Sequence, residues 1–192
     1  MKVKCRICPH GCILDEGQIG FCKARMNVNG EIICKNYAKL TSIALDPIEK
    51  KPLYRFMPNK MILSVGSYGC NLRCPFCQNY EISMADDNLV KTYDTPPDYL
   101  VNVALSLKSK GNIGIAYTYN EPFISFEYVM DSSKLAHEKG LVNVLVTNGY
   151  VCEEPLLEIL PHIDAMNIDL KAFNEEFYKK IGGDLNTVLN TI

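Results

Sequence analysis

From residue 61 onward the apolar positions fall into short unbroken runs separated by stretches of helical period. The runs are Met61-Ile62-Leu63-Ser64-Val65, Ile113-Gly114-Ile115-Ala116-Tyr117, Val142-Asn143-Val144-Leu145-Val146 and Ala165-Met166-Asn167-Ile168-Asp169. Each is too short for a helix and apolar on both faces, the pattern of a strand buried in a parallel sheet. Between the first two, Thr95 stands as an N-cap, Pro96 at the first helical position and Asp98 in the first turn. Leu100, Val103, Ala104 and Leu107 follow on one face and Gly111 lies just beyond, which predicts a helix. Phe126, Val129, Met130 and Ser133 begin a second stripe that closes near Gly140, and a shorter helix around Leu156 to Leu160 precedes the fourth run. Strands alternating with helices predict an α/β fold with a parallel sheet.

Parallel sheets gather ligands at the carboxyl ends of their strands. Polar residues collect at those ends here: Gly69-Cys70-Asn71 after the first strand, Thr118-Tyr119-Asn120-Glu121-Pro122 after the second, Thr147-Asn148-Gly149 after the third and Asp169-Leu170-Lys171 after the fourth. Four strand ends are thus expected to aim polar groups at one mouth.

Charge and cysteine content narrow the chemistry. A net charge of -2 over 192 residues argues against an electrostatic grip on nucleic acid or anionic lipid. No apolar run approaches the roughly 20 residues of a membrane span, and Met1-Lys2-Val3-Lys4 leads into no signal-peptide core, so a cytoplasmic protein is expected. Nine cysteines in that compartment point to metal rather than to disulfides. Cys34 and Cys152 stand alone and read as small buried hydrophobes. The other seven form two groups.

In the first group, "CRICPHGCILDEGQIGFCKAR" supplies Cys5, Cys8, Cys12 and Cys22, with Gly11, Gly17 and Gly20 permitting tight turns. Four thiolates close tetrahedrally on zinc or hold a second iron-sulfur cluster, and a segment this poor in apolar residues needs such a staple to fold. His10 reads as a supporting or surface group, and His137 and His162 as structural. Lys50-Lys51 reads as part of a turn between Pro47 and Pro52.

The second group, Cys70-x3-Cys74-x2-Cys77, has only three thiols. Three thiolates ligate three irons of a [4Fe-4S] cube and leave the fourth free for an exogenous chelating ligand, whereas a structural zinc site is closed by four protein ligands. An amino acid such as S-adenosylmethionine (SAM), chelating through its amine and carboxylate, would hold its sulfonium beside an electron donor.

The spacing, with "GCNLRCPFCQN" around it and Phe76 before the last cysteine, resembles the radical SAM enzymes. More closely, "DPIEKKPLYRFMPNKMILSVGSYGCNLRCPFCQNYEIS", residues 46–83, resembles the radical SAM component of the AmmeMemoRadiSam system, a relative of the pyruvate formate-lyase activating enzymes. The resemblance runs from "CRICPHGC" to "NIDLKAF", and it implies a constrained role for Lys50-Lys51, which alone would be a solvated turn. It implies reductive cleavage of SAM at the cluster to a 5'-deoxyadenosyl radical. It also implies hydrogen abstraction from a protein or peptide partner, as in activation of a glycyl radical enzyme, with an external donor such as flavodoxin or ferredoxin. The activating enzymes hold the SAM amine with Gly-Gly-Glu-Pro after the second strand. Here Tyr119 and Asn120 replace the glycines, leaving Asn120 and Glu121 as the expected contacts. Thr147 and Asn148 match the end of the third strand, but Val146 replaces the acid of a monovalent-cation site. Asp169 and Lys171 match an Asp-Leu-Lys, where the lysine pairs with the SAM carboxylate and the aspartate takes ribose or cation contacts.

Radical SAM cores usually have six strand-helix units, and this sequence supplies four before a helix begins near Asp184. A partial (βα) barrel over residues 60–192 is therefore expected, behind a cysteine-rich extension over residues 1–59, either as a fragment or as a naturally short member. Its exposed barrel edge would invite self-association. Two other readings stay open: radical modification of another protein residue or a small molecule, and a non-catalytic iron-sulfur electron-transfer or scaffold protein.

Overall fold

The computed structural model describes residues 1–192. The cysteine-rich beginning folds into short antiparallel pairs, β1 (Val3–Lys4) with β2 (Ile13–Leu14) and β3 (Arg25–Val28) with β4 (Glu31–Cys34). Asn29 and Gly30, both at positive φ, turn β3 into β4, as a two-residue hairpin requires. Next come β5 (Lys39–Leu40), β6 (Ser42–Pro47), β7 (Met61–Gly66), α1 (Tyr80–Ser83) and β8 (Tyr93–Asp94), the last pairing with β5. The remaining elements are α2 (Pro97–Ser106), β9 (Asn112–Tyr117), α3 (Phe126–Glu138), β10 (Val142–Thr147), α4 (Glu153–Ile159), β11 (Ala165–Ile168), α5 (Glu175–Lys180) and α6 (Leu185–Thr191).

The fold is α/β. One five-stranded sheet has the order β11-β10-β9-β7-β6, in which β7, β9, β10 and β11 are parallel and β6 runs antiparallel along β7. The four apolar runs are the four parallel strands. Strand β6 was not expected, and it lies in the segment that the sequence division at residues 59 and 60 assigns to the extension; the two parts share one sheet.

Alternation across the strands sorts side chains to two faces. Leu63, Val65, Ile115, Tyr117 and Leu145 meet Leu100, Val101 and Ala104 of α2 and Val129, Met130 and Ala136 of α3 in the main core, each fully buried aliphatic side chain contributing about 1.5–3 kcal/mol. Cys5 and Ile7 lie in the same core, so the extension is docked on this side. Ile62, Ala116 and Val144 point the other way and pack on Ile48.

Helix α2 begins one residue later than predicted. Pro96 is extended and outside the helix, and the Thr95 hydroxyl donates to the Tyr93 carbonyl instead of capping. The Thr95 carbonyl accepts from the Tyr128 hydroxyl at 2.7 Å, a tertiary contact that holds the preceding chain extended. At the far end, Asp184 accepts from the Thr187 N–H at 2.8 Å and starts α6. Cys34 and Cys152 are half-buried rather than buried. No helix is long and apolar enough to cross a membrane.

Candidate functional site

The carboxyl ends of β7, β9, β10 and β11 surround a cavity of about 340 Å³. Cys70, Cys74 and Cys77 line it, and so do Asn120, Glu121, Thr147, Asn148, Asp169 and Lys171. The three thiols and the six residues expected to contact SAM are brought together there, whereas Gly69, Asn71, Pro122, Gly149 and Leu170 of the same strand ends do not line it. The N-terminal cysteines are not part of it; Cys5, Cys8, Cys12 and Cys22 line a separate pocket with His10 and Arg25.

The loop after β7 carries the thiols, and its shape is fixed by backbone contacts from the other strand ends. Asn120 accepts from the Ser67 N–H at 2.9 Å and donates its amide to the carbonyls of Tyr68 and Gly69 at 3.3 and 3.2 Å. Asn120 is thereby a clamp on the start of the cysteine loop. Asn71 is fully buried. It donates to the Tyr150 carbonyl at 2.6 Å, accepts from the Asn148 amide at 2.8 Å, and its own carbonyl accepts from the His10 ring at 2.8 Å. Asn71 was not singled out in the sequence, although an asparagine directly after the first cysteine of a buried loop was the available signal.

Each thiol has its own surroundings. The Cys70 sulfur receives the Leu72 N–H at 3.4 Å and faces the Asn148 amide at 3.7 Å. Burial, reinforced by the Glu121 carboxylate, pushes its thiol up to about 12. Burial also raises Cys74, while the Lys171 ammonium works the other way. Cys77 is hydrogen-bonded to the Ser83 hydroxyl at 3.1 Å. Thiolates in such a place need a cation to hold their charge. Three of them facing an open mouth, with N–H donors and an ammonium nearby, fit a [4Fe-4S] cluster with one iron left for a ligand.

The carboxylates are more engaged than the sequence suggested. Glu121 is buried and accepts from the Thr147 hydroxyl at 2.7 Å, the Asn148 N–H at 2.8 Å and the Phe123 N–H at 3.0 Å. Burial raises its pKa against the pull of these donors and of Lys171. It braces the ends of β9 and β10, so most of its acceptor capacity is already used. Asp169 and Lys171 are paired, with Nζ 3.0 Å from the carboxylate, and Asp169 also accepts from Asn167 at 2.7 Å. Burial works to lower the Lys171 pKa, but Asp169, Cys74 and Glu121 raise it above the usual value, so the ammonium is retained.

Lys51, which read as part of a solvated turn from the residues alone and as constrained only from the resemblance, belongs to a second group. Lys51 is 3% exposed and donates to Asp46 at 3.0 Å, while the Tyr119 hydroxyl reaches the same carboxylate at 2.9 Å. Burial alone would raise the Asp46 pKa, but these bonds and the Lys51 charge hold it well below the usual carboxylate range. The three residues line a side pocket of about 470 Å³ that shares Gln78, Asn79, Tyr119 and Asp169 with the mouth.

A family model described as the radical SAM superfamily matches residues 64–192, from β7 to the last helix. An uncharacterized protein of Methanocaldococcus jannaschii is 45% identical over 191 residues, covering 99% of this chain and 56% of that protein. The pyruvate formate-lyase-activating enzyme of Clostridium pasteurianum is 28% identical over 118 residues, covering 60% of this chain and 48% of the enzyme. The chain thus spans about half the length of these curated relatives. Among solved structures, QueE from Escherichia coli is similar with a TM-score of 0.49 and 11% identity, over 80% of this chain and 67% of that one.

Proposed function

The chain belongs to the radical SAM superfamily, and from that premise we propose that it cleaves SAM reductively and abstracts hydrogen from a protein or peptide partner, in the manner of a glycyl radical enzyme activase. Members of this superfamily use a [4Fe-4S] cluster and SAM. The observation that carries the reading is the convergence of Cys70, Cys74 and Cys77 with four polar strand ends on one open cavity, which an electron carrier has no need of. The likeness to the activating enzyme of Clostridium pasteurianum supports the choice of partner class.

Cys70, Cys74 and Cys77 are the ligands for the cluster, which when bound supplies the electron that breaks a carbon-sulfur bond of SAM and yields a 5'-deoxyadenosyl radical. The chain's own residues hold and orient. Asn120 and Asn71 fix the cysteine loop from both sides. Lys171, kept charged, offers its ammonium to a carboxylate, and Asp169 and Asn148 offer acceptors to an amine or a ribose. Thr147 and Glu121 are assigned to keeping the ends of β9 and β10 at fixed separation, with any further acceptor capacity of Glu121 turned to the same amine. We read the sheet as an arc of a (βα) barrel, with the edge of β11 open to further strands or to a second copy.

The side pocket bounded by Lys50, Lys51 and Tyr119 supports a second reading, in which a compact polar small molecule enters beside SAM. The test is anaerobic reconstitution with iron and sulfide, followed by SAM and a strong reductant. SAM should perturb the paramagnetic resonance of the cluster, and 5'-deoxyadenosine and methionine should form. Cys74→Ala should abolish both. A cluster that binds SAM yet yields no 5'-deoxyadenosine would refute the enzyme reading and favour the electron-transfer or scaffold alternative.

A further inference from the structure

Tyr119 stands in a conformation that tyrosine rarely adopts. Its φ is +69°, in the left-handed region where a bulky side chain is an outlier, and such strain persists only where the surroundings hold it. Several elements hold it here. The Tyr119 carbonyl accepts from the Asn79 amide at 2.9 Å, and its hydroxyl donates to Asp46 at 2.9 Å. Its ring lies against Gly66, where a Cβ would come within 2.8 Å of the Tyr119 Cβ and 3.0 Å of its Cδ2. The Lys51 ammonium stands 4.9 Å from the ring centroid, within reach of a cation–π interaction. So fixed, Tyr119 lines both the mouth and the side pocket.

Asp46 ties this wall together. Its two oxygens accept from Lys50 at 3.2 Å, Lys51 at 3.0 Å and Tyr119 at 2.9 Å. A carboxylate so occupied fixes its donors and has little capacity left for a ligand. The ammonium groups keep more, since each has three N–H donors and gives one to Asp46. Lys51 is buried, whereas the Lys50 side chain is 67% exposed and keeps its other donors at the opening.

The charges around this space do not cancel. The charged residues lining the side pocket are Asp46, Lys50, Lys51 and Asp169. Asp169 is neutralised from the mouth by Lys171 at 3.0 Å. Asp46 balances only one of its two lysines, which leaves one positive charge facing a cavity of about 470 Å³. A lysine ammonium is a compact point charge that suits an oxyanion.

We propose that the side pocket is an oxyanion site, in which Lys50 and Lys51, locked by Asp46 and Tyr119, hold a carboxylate or phosphate group of the molecule that reacts beside SAM. Its use as a substrate site rests on the reading of the mouth as the SAM site; its binding of an anion does not.

The test is equilibrium dialysis of labelled succinate and of inorganic phosphate against the anaerobically reconstituted full chain, without reductant. Saturable uptake of either anion is expected, and the tighter one shows whether the group is a carboxylate or a phosphate. Lys50→Gln should weaken that binding by about five-fold, because a charge-assisted bond at a partly exposed position is lost. Lys50→Arg, which keeps the charge, should retain it. Lys180→Gln removes the same charge from an exposed position paired with Glu176 and should leave the binding unchanged. SAM should not displace the anion. No saturable uptake of either anion, equal losses in Lys50→Gln and Lys180→Gln, or displacement by SAM would overturn the proposal. A protein that takes up the anion but does not cleave SAM would refute the radical reading and leave the site standing, and one that cleaves SAM without taking up either anion would refute the site alone.

Discussion

The two cysteine groups sit against each other in space, yet their walls have opposite chemistry. Around Cys5, Cys8, Cys12 and Cys22 the wall is apolar and closed, with one buried guanidinium. Around Cys70, Cys74 and Cys77 it is polar and open, with amides, carboxylates and an ammonium from four strand ends. The same side chain is used in both. What differs is the number of ligands and what faces the remaining direction: a complete set in a dry pocket has no position for a substrate, and an incomplete set at the end of a sheet does.

The contact between the two groups is the place to break that comparison. Gly69 has φ +87°, and a Cβ there would lie 2.3 Å from the Cys22 carbonyl oxygen. Gly17 has a similar φ of +75° with nothing within 4 Å. Gly17→Ala should therefore lose only the left-handed backbone penalty, about 1–2 kcal/mol. Gly69→Ala adds a backbone clash and should lose about 2–6 kcal/mol. It should also lower the metal content of both groups, whereas Gly17→Ala should leave the mouth intact. Urea unfolding and analysis of iron and zinc would check this. Equal losses for the two variants would mean that the groups are mechanically independent.

The buried Arg25 guanidinium, paired with Glu127, offers a smaller and more selective perturbation. Removing one partner of a buried ion pair leaves the other uncompensated at about 3–5 kcal/mol. The Glu127 side chain is 41% exposed, however, and Arg25 only 5%. Water takes over part of the partner's role, so Glu127→Ala should lose about 2 kcal/mol. Metal held by the N-terminal cysteines should become easier to remove by chelators, while the SAM response of the mouth is kept. A stability change within about 0.5 kcal/mol and unaltered chelation would show that Arg25 needs no partner on that side.

The difference between the groups was only half legible in the sequence. The parallel strands stood out because a strand buried on both faces is an unbroken apolar run, and the polar ends of those runs gave the residues of the mouth. The N-terminal set could be read as four ligands, but not as a closed pocket, since Ile124 reaches it from elsewhere in the chain and nothing in the sequence marks Arg25, three residues after Cys22, as buried. Strand β6 was missed because only part of it is buried and it ends in proline. Lys51 read as a solvated turn because its partners, Asp46 and Tyr119, are fixed by the pairing of β6 with β7 and by the β9 end. Glu121 and Asn120 were found, but a sequence shows a carboxylate or an amide without showing that neighbouring backbone groups already occupy it.

Lys171 gives the smallest effect and tests whether the mouth's open direction is used as the comparison requires. A new charge-assisted bond to a ligand carboxylate contributes about 1.5–3 kcal/mol, but this ammonium is already shared with Asp169 at 3.0 Å. A ligand therefore replaces part of an existing interaction, and Lys171→Met should weaken SAM binding by about 1 kcal/mol, roughly five-fold in Kd. Asp169, 43% exposed, loses its partner at little penalty, so folding stability should move by less than about 1 kcal/mol. The metal content of the N-terminal group should not change, since Lys171 does not line its pocket. An unchanged Kd on the cluster-loaded protein would leave Lys171 as the partner of Asp169 alone. A loss well above ten-fold would instead mean that SAM displaces Asp169 and takes the ammonium for itself.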